Sequence, residues 1–212
     1  MKYPTYKEIV PVGTVLLIAA SSFGLGVVYS NLIYDYQTLW AFKGDTKVFQ
    51  NSFNHYLNWA SAPAYLHYIL HFVMFLGILG GLIKLYKPSE DTTYFEYGTL
   101  GLFVLSIIVY LTNLRTGINS VFFNSWGEVS METGINVIAA SQFFVVVLLF
   151  GVIFLQGGLY FAEWYDGQLK EEFFANEKKE LEAKEKAESI TTGAEKTKEK
   201  ESKVVKKKSK KA

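Results

Sequence analysis

The chain contains no cysteine and only four prolines among its 212 residues. It therefore has no disulfide framework, no zinc knuckle, no cysteine-bound iron–sulfur cluster and no thiol nucleophile. Charge is also scarce, because the first 165 residues contain only seven basic and nine acidic side chains. A soluble domain of that size needs a charged, mixed surface. These absences exclude a soluble enzyme, and the net charge of +1 argues against a general nucleic-acid binder.

Four apolar runs have the length that a membrane-spanning helix needs. A hydrocarbon core of about 30 Å is crossed by roughly 20 helical residues, and helices satisfy their own backbone hydrogen bonds in lipid. The four runs lie at about residues 12–34, 64–86, 94–112 and 135–164. The sequence therefore predicts an all-α integral membrane protein, with a four-helix membrane domain over residues 1–164 and a charged C-terminal tail over residues 165–212.

Basic residues near the helix ends predict the orientation, because cytoplasmic loops of membrane proteins are enriched in lysine and arginine. Four spans place both termini and the second loop on one side. The basic residues of that side are Lys2, Lys7, Lys84, Lys87, Lys170, Lys178 and Lys179. The other side has Lys43, Lys47 and Arg115. Seven against three favours cytoplasmic N and C termini.

The loops between the spans differ in their patterns. In the first outward loop, residues 35–63, Asp45 precedes an amphipathic helical pattern that predicts a segment lying on the membrane surface. The second outward loop is expected over residues 113–134. Before the third span, Thr93-x-x-Glu96 is typical of a capping box that starts a helix.

The composition changes abruptly where the tail begins. Fourteen of the 21 basic residues and 11 of the 20 acidic residues lie from Asp166 onward. Residues 167–187 show a helical pattern in which Glu180 and Lys184 have the favourable i,i+4 spacing. From about Ser189 almost no apolar residue remains, which predicts disorder.

Two histidines are the first candidates for chemistry. His67 and His71 have i,i+4 spacing, so they lie on one face of the second span, where two imidazoles can share a metal or relay protons. Metal-dependent catalysis needs more ligands than these spans provide. The simpler interpretation is that both side chains form hydrogen bonds inside the bundle. We therefore predict no catalytic residue, no metal and no cofactor.

Small residues recur at helical spacing on two spans. Ser22, Gly26 and Ser30 are four residues apart on the first span, and Gly77 and Gly81 are four apart on the second. Such seams let helix backbones approach closely in lipid. The sequence leaves open whether they pack within the bundle or contact another protein.

The last residues permit three interpretations. A lysine-rich tail attracts anionic lipid by about 1 kcal/mol per residue near the surface. Binding to nucleic acid is disfavoured for a membrane-tethered tail with interspersed glutamates. Lys208 and Lys210 also stand five and three residues from the end, an arrangement that resembles a dilysine retrieval signal for the endoplasmic reticulum.

Five sequence segments together resemble one protein family. They are YDYQTLW at 34–40, LIKLYKPSEDT at 82–92, YLTNLRTG at 110–117, TGINVIAAS at 133–141 and LQGGLY at 155–160. Over about residues 10–165 the chain is similar to fungal endoplasmic-reticulum chaperones dedicated to amino-acid permeases, often called packaging chaperones. The tail is similar to the tails of these proteins in its charged composition more than in its residue identities.

The resemblance implies a non-enzymatic, multi-pass protein of the endoplasmic-reticulum membrane. It implies that the membrane domain binds amino-acid permeases transiently, assists their folding and prevents their aggregation. It also implies that the cytoplasmic tail brings COPII coat components to the folded cargo, so that permeases enter vesicles for ER-to-Golgi transport. No catalytic residues follow from it.

Two other hypotheses come from different classes. One is an auxiliary subunit that stays with a transporter or channel at its destination. The other is a small membrane oxidoreductase or hydrolase that uses His67 and His71. A chaperone stays in the endoplasmic reticulum and leaves its client, whereas a subunit travels with it. An enzyme loses its activity when both histidines become Gln.

Overall fold

A computed structural model describes residues 5–87 and 92–208, and the side chains of all of these except Lys7 and residues 183–208. All regular structure in these ranges is helical. The helices are α1 (Tyr6–Leu39), α2 (Lys47–Ala60), α3 (Ala64–Leu85), α4 (Thr93–Val109), a π-helical turn (Tyr110–Leu114), α5 (Arg115–Phe123) and α6 (Met131–Lys208).

Four stretches of these helices are long and apolar enough to cross a membrane, which confirms the predicted all-α architecture. They are Glu8–Leu39, Ala64–Leu85, Thr93–Phe123 and Met131–Glu182. The third is longer than predicted, because helical structure continues through the π-helical turn and α5 to Phe123. Most of the expected second outward loop, residues 113–134, is therefore helical, and Asn124 ends α5 in the left-handed conformation that favours a C-cap.

Two glycines join α1 to α3 where the two helices cross. A Cβ atom built on Gly13 would lie 2.8 Å from the carbonyl oxygen of Gly80, and one built on Gly80 would lie 2.6 Å from that of Gly13. Any side chain at either position would push the two backbones apart. This contact brings α1 against α3 and places Leu17 and Ala20 in the core.

The core is formed by apolar side chains from α1, α3, α4 and the residues of α6 up to Tyr160. Phe103 of α4, at 2% exposure, packs with Leu17 of α1 and Leu70 of α3. Val152 of α6 is fully buried in the same cluster. Large apolar side chains on the opposite faces of these helices are exposed, as lipid contact requires.

Helix α2 is amphipathic as predicted, but its apolar face packs on protein. Phe49, Ser52 and Tyr56 of α2 are buried, and Tyr56 joins Ile118 and Val121 of α5 in a second core cluster. The apolar face of α2 therefore contacts α5, a partner that the expectation of a segment lying on the membrane surface did not include. The sequence pattern shows one apolar face but not what covers it.

Helix α4 begins at Thr93, with Thr92 at the N-cap position. The predicted capping box needs a free Glu96 carboxylate at the start of the helix. Instead Glu96 is buried and pairs with Lys84 of α3 at 2.8 Å. The Glu96 side chain of the expected box therefore forms an interhelical ion pair.

The chain forms two compact units, residues 1–160 and 161–212. In the second unit every side chain described, from residue 161 to 182, is exposed, and Asp166 pairs with Lys170 one helical turn away. The sequence predicts disorder beyond Ser189, whereas α6 extends to Lys208. Lysine and glutamate, which supply ten of residues 190–208, are both strong helix formers.

Adding one methyl group at Gly77 tests the packing of α1, α3 and α4. Its Cβ would overlap the Phe103 ring and the Ala20 side chain, so Gly77→Ala should lower the free energy of unfolding by about 1–3 kcal/mol. Thermal unfolding of the purified protein in detergent measures the change. Gly101→Ala is the matched control, because nothing lies within 4 Å of a Cβ there. Equal midpoints for the two variants would contradict this packing.

Candidate functional site

One face of α1 is made of small residues and is open. Ser22, Gly26 and Ser30 are all exposed, and no atom lies within 4 Å of a Cβ built on Gly26. The Ser30 hydroxyl donates to the Val27 carbonyl at 2.6 Å, so its polarity is satisfied within the helix. We call Ser22, Gly26 and Ser30 the α1 face. Small residues at this spacing let a second helix approach the backbone closely.

An apolar groove of about 330 Å³ adjoins the α1 face. Gly26, Tyr29 and Leu32 of α1 form one wall, and Val146 and Phe150 of α6 form the other. Tyr29 is 72% exposed, so its ring is available to an incoming side chain. The α1 face and the groove share Gly26, so together they form one continuous surface.

The two seams that look alike in the sequence have opposite environments. Gly77 and Gly81 of α3 are buried, Gly77 against Phe103 and Ala20, and Gly81 against Leu100. A Cβ on Gly81 would lie 2.7 Å from the Leu100 Cδ1 atom. These glycines are therefore occupied by contacts within the bundle, whereas the α1 face is not.

A buried polar cluster joins α3, α4 and α6 at one end of the bundle. The Lys84 ammonium lies 2.8 Å from the Glu96 carboxylate and also donates to Oε1 of Gln156. Nε2 of Gln156 lies 3.3 Å from Glu96 and donates to the Thr99 hydroxyl at 3.0 Å. All four side chains are buried. Each formal charge has a partner, which a buried ion pair needs.

Sequence reasoning missed this cluster. The sequence pattern places Lys84 among the basic residues near the membrane surface and predicts that Glu96 caps a helix. One feature of the sequence could have indicated the ion pair. Two antiparallel spans joined by a tight turn carry one lysine and one glutamate near that turn. Removing the paired Lys84 from the charge comparison leaves six basic residues against three, so the predicted orientation is unchanged.

A second buried network joins α1, α2 and α6. The Asn31 amide donates to Oε1 of Gln142 at 3.0 Å, and Nε2 of Gln142 donates to the Tyr56 hydroxyl at 2.7 Å. The Tyr56 hydroxyl in turn donates to Oδ1 of Asp35. Nε2 of His55 lies 2.8 Å from Oδ1 of Asn31. The network fixes α2 on the bundle through hydrogen bonds as well as apolar contact.

Burial shifts the titration of both α2 residues in this network. It raises the pKa of the Tyr56 phenol, with the neighbouring Asp35 carboxylate as a further cause, so Tyr56 stays a hydrogen-bond donor. Burial also lowers the pKa of His55 below its ordinary value of 6.5. The neutral ring then donates from Nε2 to Asn31. Below pH 6.5 the unfolded chain binds a proton at His55 more readily than the folded chain does. The free energy of unfolding therefore rises as pH rises towards 6.5.

His67 and His71 lie apart from both networks. The His67 ring packs edge-on against Trp59 at 4.6 Å, and Nε2 of His71 lies 3.4 Å from the Tyr110 hydroxyl. Within the residues that the structure describes, no group of three or more histidine, aspartate or glutamate side chains is arranged to hold a metal ion. Both histidines line one cavity, together with Arg115.

The two lysines of the expected retrieval signal lie at the limit of the structure. Lys208 is the last residue of α6, and its side chain is not described. Lys210 lies outside the described residues.

Removing the Lys84 charge tests the buried ion pair. Lys84→Met leaves the Glu96 carboxylate buried without a counter-ion, which should cost about 3–5 kcal/mol of stability. The double variant Lys84→Met/Glu96→Leu removes both charges and should recover most of that loss. Thermal unfolding in detergent distinguishes the two. A double variant as unstable as the single one would show that lost packing, not an unpaired charge, is the cause.

Comparison with known proteins gives consistent results. The SHR3 chaperone family, described as ER membrane protein SH3, matches residues 8–209. The secretory component protein psh3 of Schizosaccharomyces pombe is 26% identical over 180 residues, which cover 83% of each chain. No solved structure matches the chain. With four helices suited to span a membrane and a family match over nearly its whole length, the chain belongs to the SHR3 chaperone family of endoplasmic-reticulum membrane proteins.

Proposed function

We propose that this protein is a non-enzymatic chaperone that binds newly inserted amino-acid permeases, prevents their aggregation and promotes their packaging into COPII vesicles. Family membership supports the chaperone role in the endoplasmic-reticulum membrane. The sequence resemblance to packaging chaperones supports permeases as the clients. The open α1 face is the structural observation that supports binding through the membrane domain.

The α1 face suits an unfinished membrane protein. A permease has many spans, and its first spans expose small and polar interface residues before the later ones are inserted. Helices associate in lipid by close van der Waals packing and interhelical hydrogen bonds, and small residues permit both. A surface that resembles the missing partner helix therefore shields those residues.

The same surface permits release of the client. Ser22, Gly26 and Ser30 have no charge, and the Ser30 hydroxyl is bonded within α1. The attraction to a client helix is therefore weak, since interhelical hydrogen bonds in membranes average about 0.6 kcal/mol by mutant cycles. The permease's own helices, joined in one chain, then displace α1 when they arrive. No energy source is needed for that exchange.

A leucine at Gly26 tests the α1 face directly. It fills the open space beside the backbone, so Gly26→Leu should keep the client helix at a distance and weaken permease binding about tenfold, or about 1.4 kcal/mol. Photo-crosslinking of newly made permease to the chaperone in microsomes measures the change. Thermal unfolding should change little, because nothing lies within 4 Å of a Cβ atom at this position.

Gly101→Leu is the matched control for this experiment. Gly101 lies on α4, is exposed and has nothing within 4 Å of its Cβ position. It therefore adds the same side chain to a different helix face, and crosslinking should stay at the level of the unmodified protein. Full crosslinking with Gly26→Leu, or equal losses for both variants, would show that clients do not bind through the α1 face.

We place both termini in the cytoplasm, where the tail meets the vesicle coat. The excess of basic residues on that side supports this orientation. The exposed side chains of residues 161–182 support a tail that is available to coat components. Lys208 and Lys210 then face the cytoplasmic machinery that returns escaped proteins, as a dilysine signal requires.

Replacing Lys208 and Lys210 by Ser tests the retrieval signal. The double variant should escape in part to later compartments, because the residues that resemble the signal are gone. Fractionation of cell membranes and blotting of the chaperone measures its distribution. Replacing Lys206 and Lys207 by Ser is the matched control, since it removes the same charge but leaves both signal positions. Unchanged residence of the Lys208/Lys210 variant would mean that the spans retain the protein.

A further inference from the structure

A cavity of about 330 Å³ lies where the end of α2, the start of α3, the π-helical turn and α5 meet. His67 and His71 of α3, Tyr110 of the π-helical turn, and Arg115 and Asn119 of α5 supply its polar groups. Neither the family description nor the proposed client binding uses these residues. The cavity is separate from the α1 face, with which it shares no lining residue.

The polar groups of this cavity are matched to an anion. A guanidinium, two imidazoles and an amide supply N–H donors, and none of the lining residues is acidic. Among the residues that the structure describes, Arg115 has no ion pair and donates no side-chain hydrogen bond. Arginine stays protonated in proteins, so Arg115 presents a permanent positive charge at the cavity. An anionic ligand would pair with that charge.

The helix is distorted where the cavity forms. The π-helical turn Tyr110–Leu114 directly precedes Arg115, and such turns often mark functional sites. Tyr110 and Leu114 are buried, while Arg115 is exposed at the cavity. The Tyr110 hydroxyl is 3.4 Å from His71, which ties the turn to α3. The donors are therefore held in place by buried anchors rather than carried on a free loop.

The rim of the cavity is apolar and exposed. Tyr68, Phe122 and Phe123 line it with exposed fractions of 68%, 50% and 72%. His67 and His71 lie in the first two turns of α3, close to one end of that span. Aromatic side chains concentrate at this level of a bilayer, where lipid phosphates lie. An amphipathic ligand fits such a site better than a fully hydrated ion.

We propose that this cavity binds the phosphate group of a phospholipid, with Arg115 as the main ligand and His67, His71 and Asn119 as further donors. The acyl chains then lie along Tyr68, Phe122 and Phe123. The bidentate geometry of a guanidinium suits two phosphate oxygens. Under the proposed orientation the lipid belongs to the leaflet opposite the termini.

Titration with one defined lipid tests the proposal. Dioleoyl phosphatidic acid, added in detergent to the purified full-length chain, should bind with an affinity measurable by native mass spectrometry. Arg115→Gln should weaken binding at least tenfold, and Arg115→Lys, which keeps the charge, should weaken it about threefold. Lys47→Gln is the matched control, because it removes an exposed cation of α2 that does not line the cavity.

Each other outcome overturns the assignment. If Arg115→Gln and Lys47→Gln bind the lipid equally well, Arg115 is not a ligand. If inorganic phosphate at millimolar concentration displaces the lipid as well as added phosphatidic acid does, the site takes a free phosphate. Thermal unfolding of Arg115→Lys without lipid shows whether this variant is folded, and a folded variant that binds as tightly as the unmodified chain contradicts the bidentate contact.

Discussion

The crossing of α1 and α3 at Gly13 and Gly80 determines which surface the protein exposes. Because each glycine meets the other's carbonyl oxygen, α1 packs against α3 in a rotation that keeps both glycines at the contact. That rotation buries Leu17. It also turns Gly26 to the opposite side, since successive helical residues are rotated by about 100°. The exposed α1 face is thus a consequence of the glycine contact.

Two buried polar clusters then fix the register of the bundle. The Lys84–Glu96 pair joins α3 to α4, and Gln156 links both to α6. The Asn31–Gln142 hydrogen bond joins α1 to the same helix. Groups of this kind have few alternative partners in lipid, so a shifted helix would leave them unsatisfied. Under the proposed function, this fixed register lets the protein present one face to clients that are still incomplete.

Much of the architecture follows from the sequence, because hydrophobic length is a strong local signal. The spans were predictable for this reason, and so was the amphipathic pattern of α2. The element that each helix face packs against was not predictable in this way. Nothing local distinguishes the exposed Gly26 from the buried Gly77, and only the fold brings Lys84 to Glu96. The cavity at Arg115 also depends on a π-helical turn, which no residue pattern predicts.

The central claim is that the membrane domain protects permeases and the tail exports them. Its most direct test follows several amino-acid permeases and unrelated multispan proteins in cells with the full chain, with residues 1–164 only, or with neither. The account predicts that permeases alone aggregate in the endoplasmic reticulum without the protein, and stay unaggregated but retained with residues 1–164. Permeases that reach the surface normally without the protein, but transport poorly there, would contradict it and favour an auxiliary subunit.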